Sequence, residues 1–138
     1  MVLPFVLGII VNKKGQILIG RQPTLSHKPY PGKWDLPGGK LEEDETLIEC
    51  IEREVKEEIG FDVEKVTMFD VFHHNKKAFL KDYKGEISGL GVSFIIEVTG
   101  NFRPTEMVDM HFAPREEIQK LDFTPWAKES LNKFFKNL

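Results

Sequence analysis

"GKLEEDETLIECIEREVKEEIGF", residues 39–61, is the stretch whose reading decides the fold. From Asp44 to Ile59 the apolar residues Leu47, Ile48, Ile51, Val55 and Ile59 fall on one side of a helical wheel, the spacing of a core-facing helix. Asp44 is the expected N-cap and Gly60 the expected residue after the last turn. The C-terminal end of a helix carries partial negative charge and favours cations. Here Glu54, Glu57 and Glu58 crowd it instead. At ~100° per residue, Glu58 lies about 40° from Glu54 and Glu57 about 60° to the other side. All three share one edge beside the apolar stripe, at the rim of the core. Like charges at these spacings each cost ~0.2–0.5 kcal/mol, and the dipole adds a similar penalty. Two readings follow: a solvated acidic face softened by Arg53 and Lys56, or a site where a divalent cation reverses the sign of every one of these terms. The helix alone favours the second only modestly.

Working outward, "FVLGIIV" (5–11), the turn "NKKGQ" (12–16) and "ILIGR" (17–21) read as a hairpin. "QPTLSHKPYPGK" (22–33) is an irregular loop with three prolines, and "WDLP" (34–37) a short extended piece. After the helix, 63–74, 87–98 and 107–113 read as strands, with a lysine-rich loop or hairpin tip at 75–86 and a further loop at 99–106. "PREEIQKL" (114–121) is a short helix, and 124–138 an amphipathic one with Trp126, Leu131, Phe134 and Phe135 on its apolar side. The class is α+β, one domain over 1–138, with no repeat or linker.

The 138 residues suit a single domain, and 41% apolar residues with 11 Phe supply a core. A net charge of −3 gives no general attraction to a nucleic-acid polymer or an anionic membrane, so an anionic substrate must be drawn in locally. The N-terminal apolar run is short, broken by Pro4 and Gly8, and reads as strand, not as signal peptide or membrane span. The lone Cys50 forms no internal disulfide and suits a reducing compartment; a cytoplasmic location is expected.

Written as Gly39, five residues, Glu45, seven residues, Arg53-Glu54-Val55, one residue, Glu57-Glu58, one residue, Gly60-Phe61, the 39–61 stretch resembles the Nudix box at every fixed position. The preceding "GKWDLPG" (32–38) is similar to that family's approach to the box. The resemblance implies a Nudix fold, a mixed β-sheet sandwiched between α-helices, and Mg²⁺-dependent (or Mn²⁺-dependent) hydrolysis of a nucleoside diphosphate linked to another group. By the same resemblance Glu54, Glu57, Glu58 and the carbonyl of Gly38 would hold the metal. Glu45 and Arg53 would brace the loop and helix, through bidentate hydrogen bonds that fix geometry. Glu57 or Glu58 is the first choice for general base, with Glu106 in "RPTEM" as the candidate from a distant loop and an exposed loop acid as its equal alternative.

Arg21 and Lys40 would face the phosphates, with Lys28, Lys33, Lys76 and Lys77 as assistants, although surface solvation suits most of these lysines better. Trp34 is a possible stacking surface for a base; Phe72 and Trp126 fit the core better. "GGKL" lacks the spacing of a P-loop. His73 and His74 point to opposite faces of a strand and chelate poorly. Cys50 reads as packing near the acidic edge. Among substrates, the spacing is similar to MutT-type enzymes that release a nucleoside monophosphate and pyrophosphate. ADP-ribose, nucleotide sugars and dinucleoside polyphosphates are the alternatives, Tyr83 lying too far along for the last. A catalytically inactive nucleotide-binding module is the reading of another class. A monomer or a homodimer suits the composition equally.

Overall fold

The structure is a computed structural model that describes residues 1–24, 30–74 and 88–138. The expected hairpin tip at 75–86, together with Lys28, Lys76, Lys77 and Tyr83, lies outside the described residues. Strand β1 (Val2–Ile10) is the centre of the architecture. It pairs in parallel with β6 (Ser88–Thr99) and antiparallel with β4 (Gly38–Lys40), while β6 pairs antiparallel with β5 (Asp62–His74), giving the order β4-β1-β6-β5. A second, antiparallel sheet runs β3 (Trp34–Asp35), β2 (Ile17–Arg21), β7 (Val108–Ala113). Helix α1 spans Leu47–Ile59, α2 Arg115–Ile118 and α3 Pro125–Lys136.

Because β-strand side chains alternate, β1 splits its apolar residues between two cores. Phe5, Leu7 and Ile9 join the cluster containing Trp126, Leu131 and Phe134 of α3. Val6 and Ile10 join the cluster containing Ile51, Val55 and Ile59 of α1. The mixed sheet therefore lies between helices, as the resemblance implies.

Four local expectations are corrected. The chain turns at 12–16, but β1 and β2 meet only at the single bridge Val11–Ile17, because both edges of β1 are already taken by β4 and β6. "GGK" is itself a strand, with Gly38 opposite Leu7; a side chain on Gly38 would run into the carbonyl of Val6. Helix α1 begins at Leu47, not Asp44. Thr46 is its N-cap: its hydroxyl accepts from the Glu49 amide (3.1 Å) while the Glu49 carboxylate accepts from the Thr46 amide (2.9 Å), a reciprocal capping box. The first turn also leaves Ile48 exposed, at 41%, although the wheel places it on the apolar face. Gly60 ends the helix as expected, at φ 80°, a left-handed conformation that glycine adopts without strain.

Candidate active site

One guanidinium organises the start of the site. Arg53 donates to Glu45 from Nε (2.9 Å) and Nη2 (2.7 Å), to Glu54 (2.8 Å) and Glu57 (3.2 Å) from Nη1, and to the Lys40 carbonyl from Nη2 (3.2 Å). The bidentate pair ties the loop after β4 to the middle of α1. The Arg53 hydrogen bond holds the Glu45 carboxyl down to about 2. Cys50 is buried beside this hub, and burial pushes its thiol up to about 12, a packing group and not a nucleophile.

Glu58 is the exceptional residue. Its side chain is directed inward and the residue is 4% exposed. Burial first, then hydrogen bonding to Glu54, then the charges of Glu54 and Glu106 push its carboxyl up to about 10. Against them, among the described residues, stands one donor, the Gly38 amide at 3.3 Å. The Glu54 carboxylate rests against bare backbone: a Cβ on Gly39 would come within 2.4 Å of it. Glycine at 39 is thus required by the carboxylate that approaches it.

Glu106 reaches this group because the loop after β6 caps the end of α1. The Arg103 amide donates to the Ile59 carbonyl (2.7 Å), the Thr105 amide to that of Glu58 (2.8 Å), and the Thr105 hydroxyl to that of Glu57 (3.0 Å). These bonds satisfy carbonyls that a helix end otherwise leaves open. A side chain at Gly60 would meet the Asn101 carbonyl at 3.0 Å, so that glycine serves the docking of this loop as well as the turn.

The donor set suits a hard divalent cation: several carboxylate oxygens, a glycine backbone at close approach, and a buried acid short of hydrogen-bond donors. Of the three box glutamates, Glu54 and Glu58 are brought together, while Glu57 is drawn outward to Arg53 with its side chain 59% exposed. Among the described residues no three acidic, His or Cys side chains converge in chelating geometry.

The remaining expected residues form a second group. Arg21 pairs with Asp109 at 2.5 Å and lies over the Trp34 ring, 5.9 Å from its centre; Trp34 in turn packs edge-on against His111. Lys40 has an exposed side chain on β4 beside the box. Lys33 pairs with Asp122 (2.7 Å). Phe72 and Trp126 are buried in the core, as expected.

Sequence reasoning missed Asp35. It is 5% exposed, and its carboxylate accepts from Gln22 Nε2 (3.0 Å), the Leu36 amide (2.8 Å), Thr124 Oγ1 (3.1 Å) and Trp126 Nε1 (3.1 Å). Burial outweighs these four bonds and pushes it up to about 6. The only sequence signal is an acid within the otherwise apolar "WDLP". Asp109 and the capping pair Arg103 and Thr105 had no local signal.

A mixed sheet between helices, with an acid-edged helix running from a glycine strand, defines a class. The chain belongs to the Nudix family: the NUDIX domain model matches residues 2–134. It is 41% identical over 68 residues (49% of this chain) to the 8-oxo-dGTP diphosphatase of Proteus vulgaris, and 36% identical over 66 residues (48% of this chain) to an 8-oxo-dGDP phosphatase of Mus musculus. Those matches span 59% and 20% of the relatives' own lengths, so the chain covers less than two thirds of either. The crystal structure of a MutT protein from Methanosarcina mazei superposes with a TM-score of 0.76 at 27% identity, covering 99% of this chain and 94% of that one. Among the described residues no helix is long and apolar enough to cross a membrane.

Proposed function

We propose that this chain is a divalent-cation-dependent pyrophosphohydrolase, one catalytic domain over 1–138, that cleaves a nucleoside triphosphate to the monophosphate and pyrophosphate. The observation that carries the reading is Glu58: a buried carboxyl set against Glu54 and Glu106 with a single N–H donor. Such a group costs stability unless something cationic completes it. Glu54, Glu57, Glu58 and the Gly38 carbonyl would hold Mg²⁺ (or Mn²⁺), which neutralises phosphate charge and lowers the pKa of water.

The other roles belong to the chain's own groups. Arg53 and Glu45 position the glutamates. Glu57, the most exposed of the three, takes the proton of the attacking water, with Glu106 on the capping loop as the other candidate base. Arg21 and Lys40 attract the phosphates, and Trp34 offers a face to the base. The names of the two relatives direct the choice of base and sugar toward an oxidised deoxyguanosine nucleotide. The buried, unbridged Cys50 suits a cytoplasmic setting.

The test is a panel with Mg²⁺: 8-oxo-dGTP, dGTP, the other dNTPs and NTPs, 8-oxo-dGDP, ADP-ribose and a dinucleoside polyphosphate, with products resolved by chromatography. Release of pyrophosphate from a triphosphate is expected, fastest for 8-oxo-dGTP. Turnover of 8-oxo-dGDP or ADP-ribose alone would move the substrate class, and turnover of none would leave a binding module.

A further inference from the structure

On the α3 side of the sheet, opposite the glutamates, α2 and α3 border an open cleft of about 370 Å³. Small-molecule sites run from ~300 to 1,000 Å³, predominantly apolar with a few convergent polar groups. Phe123, Leu131 and Phe135 supply apolar lining, and Arg115, Lys128 and Lys136 stand around it. Arg115 is held with its guanidinium 5.0 Å from the centre of the Phe135 ring.

The charge balance here is unusual for a chain of net charge −3. The carboxylates of the neighbourhood have other partners: Glu117 pairs with His111, Glu129 with His74, and Asp122, itself in the lining of the cleft, with Lys33. Glu116 is exposed next to Arg115 but makes no ion pair with it. Among the described residues, Arg115, Lys128 and Lys136 have no carboxylate partner. Three cations spared internal partners around a cleft with an apolar side and a polar side are complementary to a molecule that is apolar in its body and anionic at one end.

We propose that the cleft between α2 and α3 is a second binding site, for a small organic anion with an aromatic body. The aromatic part would lie on Phe123, Leu131 and Phe135, and its carboxylate, sulfonate or phosphate would meet Arg115, Lys128 and Lys136. The volume, at the low end of the usual range, suits one or two rings. The inference stands apart from the reading of the glutamate site.

The test is a fluorescence titration of the full chain with anilinonaphthalenesulfonate, without divalent cation so that the glutamate site is idle. Saturable binding at one site is expected, weakened tenfold or more in Lys128→Gln plus Lys136→Gln. The control Lys13→Gln plus Lys14→Gln, on the turn between β1 and β2, should bind as the parent does. Melting temperatures of both variants establish that they fold. Displacement of the dye by dGMP would identify a nucleotide as the occupant, and its failure a non-nucleotide aromatic acid; either supports the site. Absence of saturable binding, or equal affinity in the parent and the Lys128 and Lys136 double variant, overturns it.

Discussion

Glu58 and Asp35 are both buried acids, and both have carboxyls held above their ordinary values by burial. Their surroundings differ. Asp35 is met by four donors from β3, the β2 exit and α3, so the protein itself completes it. Among the described residues, Glu58 is met by one amide and by other acids. Burial marks neither as functional. The donor count separates them: a completed carboxyl is a fastener, and one short of donors is the group on which the proposed cation binding rests.

The contrast breaks if the two residues respond alike to substitution. Glu57→Gln and Glu58→Gln should each lower kcat by roughly 10²–10⁴-fold, the range of general-base and charge-stabilising groups, while the fold survives. In Glu58→Gln the metal-free melting temperature should hold or rise, since a buried acid is removed, and the increase that Mg²⁺ brings to the parent should shrink. Wild-type rates in both variants would overturn the assignment of roles.

Asp35 should show itself in pH dependence. Its folded value of about 6 lies above the ordinary carboxyl value of 3.8. The native state therefore keeps a proton that the unfolded chain releases. Its contribution is fully present below pH ~3.8 and is lost as pH rises through ~6, by at most about 3 kcal/mol. Asp35→Asn keeps one carbonyl oxygen for Leu36, Thr124 and Trp126, and the Gln22 amide can turn to accept from the new amide. The difference in unfolding free energy between parent and Asp35→Asn should thus change between pH 4 and 6.5 and level off outside it. A flat difference across that window would mean that Asp35 ionises in the fold as it does in the open chain.

Arg53→Met sharpens the comparison from the other side. It strips the partner of Glu45, Glu54 and Glu57 at once and should cost about 2–3 kcal/mol in chemical denaturation, the hub being only partly buried. Mg²⁺ should recover part of that loss if the glutamates are ligands. Thr46→Ala removes only the cap and should cost about 1 kcal/mol with kcat little changed.

The residues of α1 were legible because helical periodicity and box spacing are local properties. Leu47, Ile51, Val55 and Ile59 face the core, Gly60 turns left-handed, and Arg53 pairs with Glu45 as the order of residues implies. Ile48 was misread because a wheel gives the direction of a side chain and not what lies opposite it. The failed hairpin has a similar cause: turn chemistry at 12–16 governs reversal of the chain, but whether two strands pair depends on which edges β4 and β6 leave free.

By itself, then, the order of residues determined the family, the α+β class, the helix that carries the acids and the glycines that border it, since each rests on contacts within a few turns or strands. Only the tertiary structure decided which acids are buried and who their partners are. The charge of Glu106 acts on Glu58 because a loop that follows in the chain only after β5 and β6 caps α1, and Asp35 is completed by groups as distant as Trp126. The electrostatic character of a carboxyl is set by what surrounds it in space, through desolvation and donor supply, and neither is written in its sequence neighbours.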